Sequence, residues 1–192
     1  MKQKRSMTTK TLAYSALLAA LSVVLARLFG LMPDTSSRYS IEAVPIFLSG
    51  ILLGPLPGAM VGFTADFVGC LFSPYGYNPI FCIPPILYGL CGGLFRKFLQ
   101  ENVSLWRLLV AFVVPAAFGS VLYQSCTLSY MYYDGSFLKG LVFYLSTRSI
   151  QFAIVTVIDV LLVWLLFRTN IFTRMGLWPA KKQKKEENEN DC

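Results

Sequence analysis

The sequence predicts an all-α membrane protein, a compact bundle of six transmembrane helices with both termini in the cytoplasm. Three observations carry this. Hydrophobic residues make up 55% of the 192 and charged residues 14%, with a mean hydropathy of +0.57, whereas a soluble domain carries about a quarter charged residues. The apolar residues fall into six runs separated by short polar or Gly/Pro-bearing connectors. The cations are distributed unevenly over those connectors, as membrane topology requires.

Residues 1–10 form a basic arm with Lys2, Lys4, Arg5 and Lys10, residues 11–168 the membrane domain, and residues 169–192 a charged cytoplasmic tail. The first run, residues 11–31, is long enough to cross a ~30 Å hydrocarbon core at ~1.5 Å per residue. A cleaved signal peptide is the competing reading. The length of the run, Arg27 within it, and the lack of a small-residue cleavage site before Asp34 argue against it.

After a polar connector at 33–40, a short second run covers 41–53, and Gly54-Pro55-Leu56-Pro57-Gly58 turns the chain. Run three, 59–72, ends in an aromatic loop at 73–79. Run four covers 80–95, run five 106–130, and run six 140–167. With six crossings both termini share a side. That side holds 13 Lys and Arg: four in the arm, three at Arg96, Lys97 and Arg107, and six from Arg168 onward. The other side holds four, Arg27, Arg38, Lys139 and Arg148. The excess places the termini in the cytoplasm.

Several functions are excluded or disfavoured. No histidine is present, which removes His-ligated zinc and Ser-His-Asp or Cys-His catalysis. The five cysteines form no C-x-x-C pair, so no metal site is expected. The cations sit at termini and between apolar runs, which is not a nucleic-acid groove. An intramembrane enzyme is kept as the rival class through Asp66 and Asp159 alone. A scaffold whose polar residues only join helices is a third reading.

The polar residues inside the runs are the candidates for function. In run five Ser120, Tyr123, Gln124 and Thr127 follow the i, i+3, i+4, i+7 spacing of one helical face, suited either to a ligand or to interhelical hydrogen bonds. In run six Arg148 and Gln151 share a face with the deeper Asp159. An intramembrane arginine costs ~2.5–3.5 kcal/mol unless paired or hydrated, so Arg148 is expected to meet a ligand or an ion-pair partner such as Asp66. Arg27, Arg38 and Arg148 all belong to the outer half and together suit an anionic ligand. Arg27 alone could snorkel, and Arg38 could be a solvated charge. The acids Asp34, Glu42 and Asp134 dilute that positive field. Tyr75, Asn78 and Tyr132 belong to the outer loops and their flanks, where tyrosines can stack on a planar ligand and Asn78 can pair with ring heteroatoms. An interfacial aromatic belt is the plainer account. Ala16 and Ala20 form a small-x-x-x-small pair that admits a close partner helix. Arg27 lies seven residues beyond Ala20 and should share its face unless the helix bends.

These residues resemble the membrane-embedded substrate-binding (S) components of energy-coupling factor vitamin transporters, and among them the folate group. The resemblance covers residues 12–166. It is carried by ALLAALSVVLAR at 16–27, the GxLxGPxxGxxVGxxAD pattern at 50–66, ILYGLCGGLFR at 86–96 and Arg148-Ser-Ile-Gln151. It implies a bundle that captures a vitamin, folate first, from outside for ATP-driven uptake. The implied partners are a transmembrane coupling subunit, docked on Ala16 and Ala20, and two cytosolic ATPases. There is no Walker A pattern in this chain and no cofactor is expected. Residues 77–85, YNPIFCIPP, differ from the aromatic-Pro-Gly-Phe-Thr-like stretch of folate members, which keeps another planar vitamin or precursor open as the substrate.

Overall fold

The computed structural model describes residues 9–28, 31–34, 37–39, 41–72, 78–101, 103–133, 135–169 and 171–178, with the backbone alone for 28, 31–34, 37–39 and 101. The architecture is helical. α1 (Thr9–Leu28) leads into a small antiparallel hairpin, β1 (Leu31–Asp34) and β2 (Ser37–Tyr39). α2 (Ala43–Leu53), α3 (Pro55–Leu71) and α4 (Ile83–Leu94) follow, with a 3-10 turn at Pro79–Cys82 before α4. A short α5 (Arg96–Glu101) precedes the two long helices, α6 (Leu105–Tyr132) and α7 (Phe137–Arg168), and α8 (Ile171–Arg174) ends the described chain.

The six apolar helical segments therefore exist, but they are unequal. α1, α6 and α7 are long and apolar enough to cross a membrane, while Ala43–Leu53, Pro55–Leu71 and Pro79–Leu94 are shorter. The short second run of the sequence is the short helix α2. At ~1.5 Å per residue, the 11 residues of α2 cross only about half of a ~30 Å core. The hairpin lies where the sequence suggested a plain polar connector, and β2 packs on α7. α5 and α8 occupy segments read as connector and tail. Phe167, Phe172 and Trp178 cluster there, the Phe167 and Trp178 ring centroids 5.0 Å apart, so the folded chain continues past residue 168.

The Gly-Pro-x-Pro-Gly corner is tighter than its five residues suggest. Only Gly54 lies outside a helix, at φ +116°, a conformation that favours glycine. Pro55 and Pro57 already belong to the first turn of α3, where a missing N–H leaves no helical bond unmade. For the same reason Pro84 and Pro85 fit the first turn of α4.

α2, α3 and α4 meet backbone to backbone. A Cβ on Gly50 would overlap the backbone of Gly89, and one on Gly62 that of Pro85. A Cβ on Gly89 would overlap Gly58, and one on Gly93 the corner at Pro55. Beside this contact sits the aromatic core, with Phe47 and Phe112 ring centroids 3.9 Å apart and Tyr88 against Phe112.

Gly89→Ala should lower the thermal unfolding midpoint of the detergent-solubilised protein, by overpacking of about 1–3 kcal/mol. Gly69→Ala, whose Cβ would meet nothing nearer than Arg27 at 4.0 Å, should leave the midpoint close to wild type. Equal midpoints for the two variants would contradict the packing account.

Candidate functional site

α1 presents two faces. Ser15, Ser22 and Ala26 turn into the bundle, while Leu12, Ala16, Leu17, Ala20, Leu21, Val24 and Arg27 are exposed. Ala16, Ala20 and Arg27 thus share the outward side of one unbroken helix. Arg27 remains exposed but reaches across to donate to the Gly69 backbone carbonyl of α3. The Ser22 hydroxyl donates to the Glu42 carbonyl at 2.9 Å, fastening α1 to the start of α2.

Between these ties lies a cavity of about 50 Å³, walled by α1, α2, α3 and the first turn of α4. Its lining includes Ser22, Arg27, Glu42, Asp66, Cys70 and Pro85. Glu42, immediately before α2, lines the cavity together with residues of α1, α3 and α4. The volume is far below the roughly 300–1,000 Å³ of sites that enclose a small organic ligand.

A second polar group joins α6 and α7. Arg148 is 8% exposed. Its Nη1 donates to the Ser120 carbonyl at 3.1 Å and to Gln124 Oε1 at 2.6 Å, and its guanidinium faces the Phe152 ring at 5.8 Å. It has no carboxylate partner among the described residues, and its Nε has no hydrogen-bond partner there. The suggested Arg148–Asp66 ion pair is therefore not formed. Gln151 and Asp159 are buried on the same face of α7, as their spacing predicts. Tyr88 of α4 and Ser120 of α6 are both buried.

The stripe on α6 comes out differently from its spacing. After Pro115, which has no N–H to continue the ladder, Ala116–Tyr123 is a π-helix. Its wider turn shifts the register, and Ser120, Ser125 and Ser129 become the buried positions. Tyr123 and Gln124 are half-buried, and Thr127 bonds back to the Tyr123 carbonyl within its own helix. Tyr132 is exposed at the end of α6. Asn78 plays a structural part, because its Oδ1 accepts from the Ile80 N–H at 3.1 Å and caps the 3-10 turn. Arg38 lies on β2, where only the backbone is described, and Tyr75 and Asp134 lie outside the described residues. Ser22, Glu42 and Tyr88 were not singled out by spacing. The only signal for Ser22 was its position opposite the alanine face of α1.

A largely helical bundle with broad apolar surfaces and three helices long and apolar enough to cross a bilayer has the make-up of an integral membrane protein. The model of the family described as ECF-type riboflavin transporter, S component, matches residues 6–168, and the chain belongs to that family. It is 30% identical over 99 residues to the folate transporter FolT of Clostridium novyi (strain NT), a match that spans 51% of this chain and 56% of that relative. The solved structure of FolT bound with folic acid superposes with a TM-score of 0.72 at 26% identity, covering 84% of this chain and 95% of that one. The S component for biotin from an ECF-type ABC transporter shares the fold, with a TM-score of 0.59 at 19% identity over 85% of this chain and 95% of that one. The family is one of transporter subunits, not of enzymes.

Replacing Gln124 by leucine should destabilise the protein by about 1–3 kcal/mol, because a buried guanidinium loses an acceptor. The unfolding midpoint in detergent reads this directly, and a midpoint at or above wild type would contradict it.

Proposed function

We propose that this chain captures a carboxylate-bearing vitamin, folate or a close relative, from the outside. In this reading it delivers the vitamin to an ATP-driven module made of a transmembrane coupling subunit and two cytosolic ATPases. The observation that carries the substrate reading is Arg148, a buried cation with hydrogen-bond capacity still open and no carboxylate of the described chain beside it. A carboxylate from outside would supply the missing charge at short range. FolT, the similar protein by sequence and by structure, supports folate as that compound.

Arg27 and Asp66 sit on the walls of the cavity and are placed to contact or gate the ligand. Arg38, Tyr75 and Tyr132 would close over the ligand from the loop side, while Tyr123, Gln124 and Gln151 would act with Arg148 from the separate group between α6 and α7. Asn78 fits as the support of the loop that holds Tyr75. The Arg27 tie to Gly69 is one of the contacts a ligand would have to release or replace. Ala16 and Ala20, exposed and small, suit the docking of the coupling subunit.

Riboflavin is the second reading, supported by the description of the family. Riboflavin carries no carboxylate, so it would leave the Arg148 charge unmatched. Titration of the purified protein by intrinsic fluorescence separates the two. Folate should bind and riboflavin should compete poorly; riboflavin binding without folate binding would reverse the assignment.

Arg148→Ala should weaken folate binding by about tenfold or more, the loss expected for a hydrogen bond to a charged group, roughly 1.5–3 kcal/mol. Unchanged affinity in a folded variant would remove Arg148 from the site. Ala16→Leu should retain folate binding in detergent while abolishing uptake in cells that supply the ATPase module. Wild-type uptake in that variant would place the docking face elsewhere.

A further inference from the structure

We propose that the cytoplasmic half of the α6–α7 seam is a binding site for an anionic phospholipid of the inner leaflet. A groove of about 250 Å³ opens there, lined by Leu105, Trp106, Leu109, Val157, Val160 and Leu161. The lining is apolar throughout. Val160 is buried at its floor, and Trp106, 72% exposed, stands at its rim. Leu105 opens α6 and Arg168 closes α7, so the groove belongs to the end of the bundle that the cation count assigns to the cytoplasm. An acyl chain fits such a channel by shape and by chemistry.

The headgroup follows from charge. Val157, Leu161, Trp164 and Arg168 succeed one another by four, three and four residues, a single stripe along α7. The apolar groove is thereby continued toward the membrane surface by an aromatic ring and then a cation, the order in which a phospholipid presents tail, interface and phosphate. Arg168 is exposed, and its guanidinium lies over the Trp164 ring, 5.3 Å from the centroid. Among the described residues it has no carboxylate and no side-chain hydrogen bond. With no side-chain hydrogen bond among the described residues, its N–H donors are available to a phosphate, which a guanidinium can grip with two parallel bonds. Arg174, exposed on α8, adds a second cation to the same end. A zwitterionic lipid would bring its own cation against this pair, so the site prefers a net-negative headgroup such as phosphatidylglycerol.

The test uses the full chain in detergent, with the thermal unfolding midpoint titrated separately with phosphatidylglycerol, phosphatidylcholine and glycerol phosphate. Phosphatidylglycerol should reach half-effect at a roughly fivefold lower concentration than phosphatidylcholine, the preference expected from one arginine at an anionic surface. Glycerol phosphate, which has no chain for the groove, should leave the midpoint where it was. Arg168→Gln should erase the difference between the two lipids, and Val157→Trp, which fills the groove from an exposed position, should weaken both. Should the tryptophan variant fail to fold, the Arg168→Gln comparison decides alone. Equal responses to both lipids in the wild type, a preference that survives Arg168→Gln, or a glycerol phosphate response matching the lipid's would overturn the proposal. So would a Val157→Trp variant with unaltered lipid responses that no longer assembles with the coupling subunit, because the groove would then house a partner helix.

Discussion

The close approach of α2, α3 and α4 sets the geometry on which the rest of the bundle depends. Gly50, Gly58, Gly62, Gly89 and Gly93 stand where added Cβ atoms would meet backbone. In a bilayer the surrounding lipid is as apolar as leucine, so burial of apolar side chains supplies little drive to join helices. Close backbone contact supplies it instead through dispersion, and only glycine permits that contact. The one-residue corner at Gly54 serves the same end, since it begins α3 directly beside the end of α2.

That trio supplies most of the cavity wall, with Glu42 at the start of α2, Asp66 on α3 and Pro85 on α4. Ser22 and Arg27 then tie α1 to α2 and α3 through backbone carbonyls. Both ties use carbonyls, and Glu42 and Asp66 are part of the cavity wall. The outward face of α1 keeps its small residues free of the bundle, so one helix has a face toward the bundle and a separate exposed face.

α6 and α7 meet differently, through charge. Arg148 is held by a backbone carbonyl and an amide and not by a carboxylate, which keeps its charge uncompensated by the described chain. The π-helical stretch after Pro115 makes this possible: it sets Ser120 and Gln124 at the level of Arg148 and turns Ser125 and Ser129 inward. A helix interrupted in this way, at a buried cation, is a frequent mark of function.

By itself the sequence determined the class of fold, the six apolar helical segments, the face shared by Arg148, Gln151 and Asp159, and the outward alanine face of α1. Each follows from composition or from the 3.6-residue period, which are local properties of the chain. The tertiary structure alone decided the pairing of Ser22 with Glu42 and of Arg27 with Gly69, and the absence of an Arg148–Asp66 pair. It also decided that Asn78 is a cap and that the α6 stripe shifts register after Pro115. The reason is physical. Periodicity predicts which side of a helix faces inward only while the turn stays at 3.6 residues, and it carries no information about which distant carbonyl a side chain will reach. Gly50 and Gly89 stand in the sequence only as members of two motifs; their meeting in space makes them the contact that holds the bundle.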